Sequence, residues 1–218
     1  MSMADRYVPT HNIDYRSKMV VVLGATGTGK TTAIKNVLRA SDKRTLIVSL
    51  DGNEWQGLPI TELKTAQDFA FTDIRVHLWD PNRSLNVLRY FRNGIIVFDD
   101  CRGYFRSNTS DGLHKFLILM RHSAVDIFAI AHGFTEVPPV FFTFATDFIL
   151  FKTLDSITRR RQYISNYDAV AAKVAEVNAI AAGKKAHPTN YKGVGVDNKP
   201  LAGRKVEDNH YCDTIKNE

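Results

Sequence analysis

Gly24-Ala25-Thr26-Gly27-Thr28-Gly29-Lys30-Thr31 fills every fixed position of the spacing G-x-x-x-x-G-K-[ST]. Such a loop suits the phosphates of a nucleoside triphosphate. Its glycines let successive backbone N–H groups turn toward the β- and γ-phosphates, and a helix start behind them adds partial positive charge. Lys30 supplies a point charge to the same phosphates, the Thr31 hydroxyl is a Mg²⁺ ligand, and Thr32 opens the helix beyond. The context agrees, because the apolar run Met19–Leu23 precedes the loop and Thr32–Arg39 follows with helical periodicity. ATP and Mg²⁺ are therefore the expected cofactors.

A second chemical signal lies at Gly94-Ile-Ile-Val-Phe-Asp99-Asp100. An apolar strand ending in an acid delivers a carboxylate to the C-terminal edge of a sheet, where ligands of open α/β sheets bind. Asp99 fits the Walker B role, holding Mg²⁺ directly or through water opposite Thr31, and Asp100 then orients the attacking water. Two adjacent ionised carboxylates are costly to bury without a cation, so the pair makes most sense beside a metal. Further on, Val125–Ala131 reads as a strand with His132 at its tip, placed to touch the γ-phosphate or the lytic water. A lone histidine after a strand also serves structure alone. Arg121, near the end of the helix before that strand, is a candidate transition-state cation acting on a neighbouring subunit's nucleotide. Arg102, Arg106 and Arg159 to Arg161 compete for this role, and Arg121 also suits a helix C-terminus.

Alternating elements must carry these residues. Short β-branched runs predict strands at 19–23, 44–50, 74–79, 94–99, 125–131 and 146–152, with helices near 30–40, 65–71, 83–92 and 109–122. The rhythm predicts an α/β fold, a mostly parallel sheet with helices on both faces, and the phosphate loop makes the expected type a P-loop NTPase (RecA/ASCE-like). Segment 52–63, with Gly52, Gly57 and Pro59, reads as an irregular excursion. The expected organisation is an ATPase core over 1–158, a basic segment and amphipathic helix over 159–182, and a polar tail over 183–218. That tail is either disordered or an extended arm on a neighbouring subunit.

With 218 residues, 44% of them hydrophobic, the chain can bury one substantial core, and its net charge of +6 suits a polyanionic partner. Cys101 and Cys212 lack metal-ligand spacing and predict neither a zinc site nor a disulfide framework. The N-terminus has no signal-peptide core, and the apolar stretch Val137–Phe151 is too short and interrupted to span a bilayer, so no transmembrane segment and a cytoplasmic location are expected.

Together the phosphate loop, Asp99-Asp100, Met120-Arg121-His122 and the polar tip at His132 resemble the FtsK–HerA superfamily of ring-forming DNA translocases. Within it the likeness is to Zot-like and poxvirus-type viral genome-packaging ATPases, over roughly residues 18–152. The family usually carries glutamine where this chain has His132, and Zot-like proteins of filamentous phages add a transmembrane helix not seen here. The resemblance implies a homo-oligomeric ring, a hexamer, hydrolysing ATP at subunit interfaces. It further implies that the ring threads double-stranded DNA into a preformed capsid, with capsid or portal vertex proteins as partners. Its location would be the host cytoplasm, with association with the virion. Basic residues of the loops at 102–108 and 152–161 are candidates for the channel.

Two other readings stay open at this level. A helicase or AAA+-type loader shares both Walker motifs but normally appends a helical lid. A small-molecule kinase shares the phosphate loop, and Arg159 to Arg161 would serve as its lid arginines.

Overall fold

The computed structural model describes residues 17–105 and 110–183, together with 194–195 and 213–216. Arg106, Cys212 and the rest of the expected tail lie outside the described residues. The elements in chain order are β1 (Met19–Leu23), α1 (Lys30–Ala40), β2 (Thr45–Ser49), β3 (Ile74–Leu78), α2 (Ser84–Leu88), β4 (Gly94–Phe98) and α3 (Ser110–His122). They continue with β5 (Val125–Ala131), α4 (Pro139–Phe144), β6 (Asp147–Leu150), α5 (Tyr167–Gly183), β7 (Val194–Gly195) and β8 (Asp213–Lys216).

The strands lie in the order β3-β2-β4-β5-β1-β6-β8-β7, and β1 to β6 all run parallel. Because β5 sits between β1 and β4, the phosphate-loop strand and the strand ending at Asp99 are one strand apart. All three C-terminal ends therefore open on the same edge. The register is tight, with Val22 opposite Ile130 on one side and Ile149 on the other.

Strand alternation divides the core in two, as the period-2 side-chain pattern requires. Val20, Val22, Ile47, Ile95, Val97 and Ile130 face α1 through Ile34 and Leu38, with Trp55 completing that layer. Val21, Leu23, Leu46, Val48, Ile96 and Phe98 face the other way, against Leu113, Phe116, Leu117 and Met120 of α3 and Phe141 and Phe142 of α4. Val170, Val174 and Val177 of α5 are buried in this second layer, so the core runs past residue 158. The Asn178 side chain seals that helix to the chain after β6, donating to the Thr153 carbonyl (2.8 Å) and accepting from its N–H (2.9 Å).

Some elements differ from the sequence expectation. Residues 65–71 form only a 3₁₀ turn at Ala66–Phe69, closed by a Thr65/Asp68 capping box, and the helix expected over 83–92 is confined to Ser84–Leu88. Part of the expected tail forms strands on the chain's own sheet, where β8 pairs antiparallel with β6, Asp147 opposite Lys216. Among the described residues no helix is long and apolar enough to cross a membrane.

Candidate nucleotide site

A cleft of about 570 Å³ opens at the C-terminal ends of β1, β2, β4 and β5. The expected residues Thr26, Gly27, Gly29, Lys30, Thr31, Thr32, Asp99, Asp100 and His132 all line it. Gly24, Ala25 and Thr28 of the expected loop are not among the residues that line it. Gly24 packs so closely that an added Cβ would lie 2.4 Å from the Phe151 Cβ and 2.9 Å from the Thr28 hydroxyl. Gly27 and Gly29 hold φ of 76° and 88°, in the left-handed region that glycine enters without a Cβ penalty. The loop is fastened from Gly24 N to the Ala131 carbonyl (3.3 Å) and from Ala25 N to the Lys152 carbonyl (2.7 Å).

Lys30 is buried, and each donor of its ammonium meets an acceptor: the Gly24 carbonyl (2.6 Å), the Ala25 carbonyl (3.0 Å) and His132 Nδ1 (3.4 Å). An ammonium only donates, so Nδ1 accepts and the His132 proton sits on Nε2. The Thr26 hydroxyl reaches the same Nδ1 at 3.3 Å. Burial pushes the Lys30 ammonium below its ordinary pKa, while Asp99, Glu136, Asp100 and Glu54 push it back up.

Asp99 continues the β4 ladder through its N–H to the Val48 carbonyl (3.0 Å), and its carboxylate Oδ2 accepts the indole N–H of Trp55 at 2.7 Å. Burial raises its pKa, aided by Glu54 and Asp100 and opposed by the Trp55 hydrogen bond and Lys30. The Tyr104 hydroxyl donates to the Val48 carbonyl (3.0 Å) and lies against the Asp99 carbonyl, pinning the backbone there. Asp100 takes φ 58°, a left-handed value that bends the chain out of the strand into the turn Cys101–Gly103. Its Oδ1 is buried with no hydrogen-bond partner.

Asp51, Glu54, Asp99 and Asp100 thus face a cleft whose lining offers Lys30 as its ammonium. A buried carboxylate oxygen without a donor, beside a carboxylate whose ionisation burial opposes, fits a hard divalent cation. Thr31 and Asp99 supply the oxygens that would hold it, with the free Asp100 oxygen beside them.

The loop after β5 is built as firmly. The His132 N–H donates to Glu136 Oε2 (3.1 Å), and Glu136 Oε1 pairs with Arg102 (3.2 Å). Asp155 accepts from the N–H (2.6 Å) and hydroxyl (2.7 Å) of Thr135. Burial works against ionisation of Asp155, but these bonds hold its pKa below the ordinary carboxylate range. Arg160 donates to the carbonyls of Phe134 (2.8 Å) and Thr135 (2.9 Å), and Arg161 lies over the Tyr167 ring. Of the expected basic triplet only Arg160 is tied to loop carbonyls, while Arg159, Arg161 and Lys152 are exposed.

Arg121 is not brought to this cleft. It lies in the last turn of α3 at the opposite edge of the sheet, where its carbonyl accepts from the Ser17 hydroxyl just before β1. Sequence reasoning missed Trp55, Glu54, Asp51 and Glu136. The run Asp51-Gly52-Asn53-Glu54-Trp55 directly after β2 carried a usable signal, since β2 ends at the same edge as β1 and β4.

No protein-family profile matches the chain, and no curated protein sequence matches it. Solved structures do. The genome packaging NTPase B204 of Sulfolobus turreted icosahedral virus 2, in complex with ATP-gammaS, superposes with a TM-score of 0.56 at 17% identity, over 74% of this chain and 86% of that one. Its complex with AMPPCP gives 0.55 at 18%, over 72% and 86%. B204 described as the DNA-packaging ATPase of Sulfolobus turreted icosahedral virus gives 0.55 at 18%, over 76% and 88%. The fold is that of a P-loop NTPase. The resemblance carried by the motifs is matched by a shared architecture over most of both chains.

Proposed function

We propose that this chain is an ATP-hydrolysing, double-stranded-DNA translocase of the viral genome-packaging kind. The observation that carries the reading is the meeting of Lys30 and Thr31 with the adjacent carboxylates Asp99 and Asp100 in one cleft. The carboxylates come from the strand one removed from the phosphate-loop strand, with His132 on the strand between. The B204 structures, described as a genome packaging NTPase bound to AMPPCP or ATP-gammaS and as a DNA-packaging ATPase, share that fold.

In this reading the N–H groups of Gly27 to Thr31 and the Lys30 ammonium hold the triphosphate, while Thr31 and Asp99 hold Mg²⁺, which neutralises phosphate charge. Asp100 orients the lytic water. A γ-phosphate oxygen takes the Lys30 donor that points at His132, and the displaced imidazole offers Nε2–H to the phosphate instead. Glu136 carries that displacement to Arg102, which follows Asp100 by two residues. Arg121, at the far edge of the sheet, acts in trans in a hexameric ring. Lys152, Arg159 and Arg161 are exposed basic residues of the loop at 152–161 that would contact DNA phosphates. Capsid or portal vertex proteins are the partners, in the host cytoplasm and on the virion.

The test is ATP hydrolysis with and without long double-stranded DNA for wild type, Lys30→Ala, Asp100→Asn and Arg121→Ala. DNA-stimulated turnover, lost in the first two variants and cut in the third with nucleotide binding kept, is the expected outcome. Stimulation should weaken steeply with salt, as phosphate contacts dictate. Turnover indifferent to DNA, or seen only with a small phosphoryl acceptor, would overturn the translocase reading in favour of a kinase.

A further inference from the structure

The excursion between β2 and β3 has no part in the phosphate loop or the acidic strand, yet it reaches both. Trp55 is 1% exposed, and its buried indole N–H needs an acceptor. That acceptor is Asp99 Oδ2 at 2.7 Å. Filling the layer under β2 and β4 would require only an apolar ring, so the N–H is an addition specific to the carboxylate. With Oδ2 held by the indole, Asp99 keeps its other carboxylate oxygen for a cation.

The segment bearing Trp55 is itself anchored. Gly52 turns at φ 75°, its N–H donates to the Ser49 hydroxyl (3.1 Å), and Trp55 N closes on the Gly52 carbonyl (3.0 Å). From the other side Lys35, on the helix that begins with Lys30, donates to the Glu54 carbonyl and places its ammonium 5.2 Å from the Trp55 ring centroid. A continuous set of contacts therefore runs from the phosphate-loop helix through Lys35 and Trp55 to Asp99.

We propose that Trp55 is a positioning residue for the Mg²⁺-holding carboxylate, and that residues 52–55 strap the phosphate-loop helix to it. This rests on the nucleotide site proposed above. Hydrogen-bond partners of metal-holding groups typically govern metal affinity by 10- to 100-fold when removed.

The experiment measures AMPPCP affinity as a function of Mg²⁺, and in EDTA, for the full chain and for Trp55→Phe, which keeps an aromatic ring and loses the N–H. The expected result is a rise of roughly tenfold or more in half-saturating Mg²⁺, with affinity in EDTA within about twofold of wild type. An unchanged Mg²⁺ curve overturns the inference, as does an equal loss of affinity in EDTA, which marks a structural role alone. Wild-type protein that binds AMPPCP under neither condition would instead sink the nucleotide site itself. A second measurement needs no change at Trp55. The chain has two tryptophans, so Trp79→Phe leaves Trp55 as the sole indole. Paramagnetic Mn²⁺ with AMPPCP should quench its emission and excess Mg²⁺ restore it; no quenching overturns the placement of the metal beside Asp99.

Discussion

Replacing Asp100 with Asn should make the nucleotide-free protein more stable while removing its activity. Asp100 holds a left-handed backbone at φ 58°, which Asn adopts about as readily as Asp. Its buried Oδ1 has no donor, and its charge adds to the burial that already opposes ionisation of Asp99. An unsatisfied buried polar atom costs about 1–3 kcal/mol, and more when charged. Asn leaves a polar atom there but removes the charge, so about 1 kcal/mol should be recovered. For a chain of this size that is a rise of roughly 2–4 °C in Tm. Asp100→Ala is the control, since alanine at this φ forfeits about 1 kcal/mol or more and should offset the gain. Turnover should fall by about 10²- to 10⁴-fold, the scale of a lost general base or water-orienting group. Calorimetry in EDTA and a phosphate-release assay make the two measurements. A lower Tm for Asp100→Asn, or turnover within a few-fold of wild type, would refute the placement of Asp100 as a carboxylate held ready for a cation and a water.

Two further outcomes follow from geometry and titration. Gly24→Ala must push its Cβ against the Phe151 Cβ, a backbone-anchored atom with little freedom to move, so overpacking of about 1–3 kcal/mol is expected. The damage should extend to nucleotide binding, because the Gly24 carbonyl is a Lys30 acceptor; unchanged AMPPCP affinity in a folded variant would contradict it. Burial lowers the pKa of His77, helped back up by the Thr61 carbonyl and Asp80, and its Nε2 lies 2.8 Å from the buried Ser84 hydroxyl. With the folded pKa below the unfolded value of 6.5, the unfolded chain binds more protons below that pH. The stability His77 contributes is thus intact above 6.5 and falls as pH drops, by at most about 1.4 kcal/mol per pH unit. Asp99, with its raised pKa, acts in the opposite sense. The difference between wild type and His77→Gln in Tm against pH isolates the histidine, and parallel curves from pH 7 to 5 would exclude it.

What the sequence made legible was local. β1 and β4 are buried throughout and read as unbroken apolar runs, and β5 does so but for Asp126, so their ends, and with them Lys30, Asp99 and His132, were placed by chain pattern alone. The phosphate loop was legible because glycine is required where φ is positive or a Cβ would collide. The shortening of the expected helix at 83–92 was not, since five residues of α2 are held by tertiary contacts through Val87 and Leu88 rather than by propensity. Trp55 was hidden for a different reason. Its meaning depends on a partner 44 residues away, and an excursion rich in glycine and proline gives no period by which to orient a side chain. Arg160 shows the reverse error, because a run of three arginines reads as a solvated or DNA-facing cluster while its middle member is spent on two loop carbonyls.

The contacts around Lys30 give the proposed cycle a physical switch. Its ammonium has three donors, two fixed on loop carbonyls and the third aimed at His132. In the proposed cycle a γ-phosphate would compete for that third donor and displace His132 rather than Lys30. The His132 backbone is tied to Glu136 and through it to Arg102, while Asp155 and Arg160 hold the following residues rigid. In the proposed cycle, displacement of the imidazole would pass through the Glu136–Arg102 pair to the turn after Asp100. A side chain at the tip of the strand between the phosphate loop and the acidic strand is the position from which loss of the γ-phosphate can be felt by both. In that reading histidine would suit the position, since with Nδ1 accepting from Lys30 it keeps a donor for the phosphate.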